Sequence, residues 1–141
     1  MEGKIFLEKD LSYKVVGCFY TVRNLYGSGL REEFYDKALG EVLVAGQLTF
    51  VDKPSVPLYS KTTGKIITHR VPDKLVADKI IVEVKAKPFV YRSDIKQINE
   101  YLAITPYEIL YLVNFGEAQF KPVRIIQTND RKPFLRFTKS V

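Results

Sequence analysis

The chain has 141 residues, 46% of them apolar and 27% charged, with one cysteine and a formal net charge of +6. Those values describe one ordinary domain, read over 1–141, with enough apolar side chains for its own core. They exclude disorder, an internal disulfide and any multi-thiolate metal site. No apolar run approaches the roughly 18 residues of a membrane span and the first ten residues do not read as a signal peptide, so a cytoplasmic protein without membrane association is expected. The excess of Lys and Arg favours a polyanionic partner such as nucleic acid.

Val15, Phe19, Val22, Leu25 and Tyr26 recur at three- and four-residue steps and predict a helix over about 12–26, with Cys18 as a small core residue. The glycines of "GSG" (27–29) end it. A second amphipathic helix follows, with Leu30, Phe34, Ala38, Leu39, Val42 and Leu43 facing inward, closed by Gly46. From about 48 to 86 the period changes to two. "LTFVDKPSVPLYSK" carries two prolines and suits an edge or bulged strand. "TTGK" marks a turn, and "KIITHRVPDKLV" and "KIIVEVKA" read as two strands joined near Ala77 to Lys79. A third helix is expected from Ser93 to Thr105, with Ser93 or Asp94 near its cap and Ile95, Ile98 and Leu102 as its apolar stripe. "YEILYLVNFG" and "KPVRIIQT" complete an α/β domain of order ααβββαββ, a central mixed sheet flanked by helices.

The stretch "VPDKLVADKIIVEVKAKP" (71–88) places ionisable side chains inside buried strand sequence, where charge is costly unless paired, hydrogen-bonded or bound to metal. Alternation puts Ile81, Glu83 and Lys85 on one strand face. A three-residue loop, 77–79, would pair Val76 with Ile80 and set Asp73 opposite Glu83; a two-residue loop would turn them apart. With the first parity, two carboxylates and an ammonium converge. Such oxygen ligands suit Mg²⁺ or Mn²⁺ and not zinc, and Lys85 could orient a water or stabilise charge on a phosphate. The same pattern also serves as a cross-strand salt bridge on a solvated sheet face.

The order Asp73, then Glu83-Val84-Lys85, with Pro72 before the aspartate, resembles the PD-(D/E)XK nuclease signature. "GSGLREEFY" supplies Gly29, Glu32 and Tyr35 in the spacing of the GxxExxY proteins, a branch of that superfamily. "QINEYLAIT" is similar to its glutamine helix, with Gln97, Tyr101 and Leu102 in place, and "LVNFG" (112–116) to its penultimate strand. The blocks follow the family order and cover about 15–126. The resemblance implies a restriction-endonuclease-like core in which Asp73, Glu83 and the Val84 carbonyl hold Mg²⁺ (or Mn²⁺). It makes Lys85 the catalytic cation, with Glu32 assisting and Gln97 and Tyr101 ordering the site or gripping substrate.

Two departures stand out: "DKLV" follows the first acid where "DLLV" is usual, putting Lys74 on the opposite strand face, and Arg31 replaces an apolar residue. The tail "RKPFLRFTKSV" interleaves Arg131, Lys132 and Arg136 with Phe134 and Phe137, a composition that suits a nucleic-acid strand or a solvated terminal strand. His69 is the only histidine, so no catalytic triad is available; with Arg70 and Lys74 it is a candidate phosphate contact. The expected function is a metal-dependent nuclease acting on nucleic acid, on DNA in preference to RNA. The alternatives are a Holliday-junction-resolvase-like endonuclease, which requires a homodimer, and a non-catalytic nucleic-acid-binding accessory module of the same fold.

Overall fold

The structure, a computed structural model, describes residues 6–135. Two helices open it, α1 (Lys9–Tyr26) and α2 (Glu32–Ala45). Gly27, at φ 72°, reverses the chain between them, a conformation that favours glycine. Five strands follow: β1 (Phe50–Asp52), β2 (Val56–Tyr59), β3 (Ile66–Arg70), β4 (Lys74–Val76) and β5 (Ile80–Lys85). Helix α3 (Arg92–Leu102) then leads to β6 (Ile109–Asn114) and β7 (Val123–Ile126).

The α/β class and the mixed sheet match the expectation, but each of the first two expected strands is divided. Lys53 takes a left-handed φ of 49° before Pro54, so β1 and β2 enter different sheets. Val71 and Pro72 lie outside both ladders and separate β3 from β4; a proline has no N–H to offer a ladder. The order is therefore ααβββββαββ. The main sheet runs β1-β4-β5-β6-β7, with only β5 and β6 parallel, and β2 and β3 form a separate antiparallel pair.

The loop that decides the parity has three residues. Val76 pairs with Ile80, Leu75 with Ile81 and Lys74 with Val82, so Asp73 and Glu83 are next in register. Ala77 and Asp78 both adopt left-handed φ, 53° and 56°, and the Lys79 N–H closes the turn on the Val76 carbonyl at 2.9 Å.

The sheet is covered on both faces. Val76, Ile80, Val82, Val84, Tyr111 and Val113 pack against Val15, Phe19, Val22, Leu39 and Leu43 of α1 and α2. Leu75, Ile81, Leu110 and Leu112 pack against Ile98, Tyr101 and Leu102 of α3, with Val56 of β2 beside them. Every residue of β6 is buried, which explains its unbroken apolar run. Each such aliphatic side chain contributes about 1.5–3 kcal/mol. Cys18 is in the α1/α2 core as expected, and burial pushes its thiol up.

Four residues expected inside are not there. Leu25 and Tyr26 in the last turn of α1, and Leu30 and Phe34 where α2 begins, are exposed and belong to neither core. They gather at the α1–α2 corner, where Tyr26 meets Phe34 edge to face at 4.8 Å.

Candidate active site

The site candidates meet at the C-terminal end of β5, where α2 arrives from one sheet face and α3 with the β2–β3 hairpin from the other. Asp73 precedes β4, and its Oδ2 accepts the Val84 N–H at 2.7 Å, which fixes the carboxylate against β5. Its Oδ1 accepts from the Lys53 ammonium, also at 2.7 Å. Glu83 is only 7% exposed. Its Oε2 accepts from Arg70 Nε at 3.1 Å and from the Tyr101 hydroxyl at 2.7 Å, while no hydrogen bond from the described residues reaches Oε1.

Each partner of Glu83 is itself held. The Arg70 guanidinium lies over the Tyr101 ring, 4.1 Å from its centroid, a favourable cation–π arrangement. Burial works against the charged guanidinium, but Glu83 and Tyr101 hold its pKa above the usual value. Burial and the neighbouring Glu83 push the Tyr101 phenol far up, against Arg70, so it keeps its proton and donates. Gln97, one turn earlier, is exposed, and its side chain makes no hydrogen bond among the described residues.

Lys85 is partly exposed and forms no ion pair among the described residues. Its charge is nevertheless felt at Glu32 and at Asp94. Glu32 opens α2. Partial burial and the nearby Asp73 raise its carboxyl pKa, Asp36 adds to the rise, and Lys85 and Lys53 oppose it. The motif tyrosine explains this placement. Tyr35 is fully buried; its hydroxyl donates to the Gly27 carbonyl at 2.6 Å and accepts the Leu30 N–H at 3.1 Å. Its ring stacks on Phe115 at 4.7 Å, and the Phe115 N–H bonds the Lys85 carbonyl. Asn114 and Gly116 complete the joint. Asn114 accepts the Lys87 N–H and donates to the Lys87 carbonyl. A Cβ on Gly116 would lie 2.6 Å from the Lys87 nitrogen.

Other candidates are placed differently. Lys74, expected to contact phosphate, is 1% exposed and bonds both Asp36 Oδ1 and Asp52 Oδ1 at 2.7 Å. It has no surface to offer a substrate; two carboxylates offset the desolvation of its ammonium. Arg70 is engaged with Glu83. His69 is exposed on β3 opposite Pro57. In the tail, Arg131 is exposed, but Lys132 is buried and donates to the Thr105 and Tyr107 carbonyls at 2.8 and 2.5 Å. Phe134 is buried against Tyr59. The tail as a strand-gripping surface is therefore corrected at both residues. Arg136 and Phe137 lie outside the described residues.

The sequence reading missed Asp36 and Lys53. Lys53 bridges Asp73 and Asp36, the latter at 3.2 Å. Despite its desolvation, these two carboxylates hold its ammonium pKa well above the usual lysine range. The only signal was Asp36 standing one helical turn after Glu32. Asp36, Lys53 and Lys74 also border a cleft of about 630 Å³ beside Gly40 and Phe50. Glu83 and Lys85 are not part of it.

No group of three or more His, Cys, Asp or Glu is arranged as a metal cluster among the described residues. No helix among the described residues is long and apolar enough to cross a membrane. No curated protein and no solved structure matches the chain. The family model of the PD-(D/E)XK nuclease superfamily matches residues 9–126, and with most of its length so matched the chain belongs to that superfamily.

Proposed function

We propose that the protein is a metal-dependent nuclease that hydrolyses phosphodiester bonds, with DNA the first substrate to test, and that its site is Asp73, Glu83 and Lys85 assisted by Glu32. The observation that carries this reading is the asymmetry of Glu83. A largely buried carboxylate held at Oε2 by Arg70 and Tyr101, with no donor to Oε1 among the described residues, can take a further positive ligand.

The donor set fits a hard cation in kind. Asp73 Oδ1 already accepts from the Lys53 ammonium, and no donor among the described residues reaches Glu83 Oε1. Asp73, Glu83 and the Val84 carbonyl would hold Mg²⁺ or Mn²⁺. Such an ion supplies polarisation of a phosphoryl oxygen and acidifies bound water.

The chain's own residues do the rest. Lys85, on the same strand face as Glu83 and unpaired among the described residues, stabilises negative charge gathering on the phosphate. Glu32, held at the start of α2 by the Tyr35 clip, accepts a proton from the attacking water. Arg70 and Tyr101 keep Glu83 in one rotamer. Gln97 faces solvent one turn from Tyr101 and contacts the substrate strand.

The test is cleavage of labelled single-stranded, duplex and four-way-branched DNA and of RNA, in Mg²⁺, Mn²⁺ or EDTA. Wild type is compared with Glu83→Gln and Lys85→Ala. Metal-dependent cutting lost in both variants is expected. Binding without cutting, unchanged in both, would make the protein an accessory module; preference for the branched substrate by a dimer would make it a resolvase.

A further inference from the structure

The segment after β5 carries a pattern that the site does not use. "KAKPFVYR" alternates Lys85, Lys87 and Arg92 with Phe89 and Tyr91. Both rings are 55% exposed and meet edge to face at 4.9 Å. Exposed ring faces with no covering element offer an apolar surface that a flat ligand can stack on.

The loop is also firmly held. Asn114 binds the Lys87 backbone on both sides, through its N–H and its carbonyl. The Lys87 ammonium donates to Asp94 at 2.8 Å and lies over the Tyr91 ring at 5.5 Å. Asp94 also accepts the Tyr91 N–H at 3.0 Å, and these two bonds keep its carboxyl below the usual range. Pro88 restricts the chain between them. The rings therefore stand on a base fixed before any ligand arrives, which lowers the ordering penalty on binding.

We propose that Phe89 and Tyr91 form a stacking site for unpaired nucleobases, so that the strand entering past Lys85 is single-stranded; this rests on the nuclease reading above. An aromatic face stacks on a base only when that base has left its own duplex stack. The charge around the rings is of the right sign. Arg92 is exposed on α3 and the chain carries a net +6; Lys96, also exposed, and Lys87 at the foot of the loop are shared with Glu100 and Asp94. Phosphates on either side of a stacked base meet cations there. An apolar patch on a protein partner would gain nothing from that charge.

The experiment measures binding of the full chain in EDTA to dye-labelled oligo(dT), oligo(rU) and a mixed-sequence duplex, by fluorescence anisotropy. Phe89→Leu and Tyr91→Leu keep apolar bulk and remove the π-faces, and circular dichroism melting verifies the fold. Each substitution is expected to weaken oligo(dT) and oligo(rU) binding by about tenfold and duplex binding by no more than about twofold. Loss in only one oligonucleotide arm assigns the stacked strand to DNA or RNA. Unchanged single-strand affinity, an equal loss on duplex, or a change of oligomeric state in sedimentation would overturn the stacking site. Cleavage by wild type in Mg²⁺ separates the two readings. Cutting with unchanged single-strand affinity in the variants sinks the stacking site alone, and neither binding nor cutting sinks both.

Discussion

Lys74 and Glu83 are buried charges on adjacent strands of one sheet, pointing to opposite faces, and they are satisfied in different ways. On the α2 face, the Lys74 ammonium meets two carboxylates, Asp36 and Asp52, and packs beside Phe50. Asp36 is shared with Lys53, which in turn bonds Asp73. On the α3 face, Glu83 directs both its protein partners to one oxygen. A balanced buried pair stabilises little beyond what its desolvation takes away. An unevenly bonded one keeps capacity for a ligand. On the function proposed above, the difference separates a charge that holds the fold from one that takes part in the chemistry, although both read alike as charged residues in apolar strands.

The largest expected effect attacks the α3 side. Glu83→Gln should lower single-turnover cleavage about 10³-fold while urea unfolding shifts by less than about 1 kcal/mol, because Gln can still accept from Tyr101. Cleavage within tenfold of wild type would reduce Glu83 to an anchor for Arg70. Lys74→Met attacks the other side. It removes one cation from Asp36, which keeps Lys53, and from the exposed Asp52, and should destabilise by about 1–2 kcal/mol, with the folded fraction cleaving at the wild-type rate. A cleavage defect without a stability defect would put Lys74 back at the substrate.

Lys132 sharpens the comparison, as a buried lysine whose ammonium bonds two carbonyls and no carboxylate. Burial pulls it down to about 8, with Glu108 opposing. Because the folded value lies below the ordinary 10.5, the unfolded chain binds more protons between those pH values. This group's contribution to stability should therefore rise as pH climbs from about 8 to 10, by at most about 1.4 kcal/mol per unit. Burial raises the Tyr101 and Tyr107 phenols, which act in the opposite direction near and above pH 10. Their effect cancels in the difference between wild type and Lys132→Met. Parallel stability curves for the two proteins would show that Lys132 stays charged. The smallest effect is at Lys53→Met. Freeing Asp73 Oδ1 from an exposed ammonium should lower the Mg²⁺ needed for half-maximal thermal stabilisation by about two- to fivefold. A higher requirement would make Lys53 part of the cradle.

Much of this was legible in the sequence. The helices followed from apolar spacing, and the Asp73–Glu83 relation was framed as a question of loop parity. The three-residue loop itself was not readable, because its left-handed positions are Ala77 and Asp78, and neither carries the Asn-Gly signature of a tight hairpin. The divided strands had a local cause in Pro54 and Pro72, yet strand partners depend on tertiary pairing that no local pattern encodes. Asp36, Lys74 and the adjacent pair Asp52 and Lys53 come from three separate elements and meet only after folding. The tail misled because its alternation of cations and rings is the same whether Lys132 and Phe134 face solvent or turn inward. The carbonyls at the α3–β6 bend and the ring of Tyr59 decide it. The outward Leu25, Tyr26, Leu30 and Phe34 kept helical period beyond the point where the sheet could cover them.

The Tyr35 clip makes spacing itself a functional quantity. Tyr35 is tied at its hydroxyl to the Gly27–Leu30 turn and at its ring to Phe115, and Phe115 is bonded to the end of β5. Glu32 and Lys85 are thus carried by one rigid linkage. A single residue inserted between Glu32 and Tyr35 would leave every side chain of the site in the chain. It would also swing the glutamate about 100° around the α2 axis, out of phase with the strand it serves. Substitutions at the glutamate are survivable for the fold, whereas insertions and deletions across 32–35 are errors of angle that no change of side chain repairs.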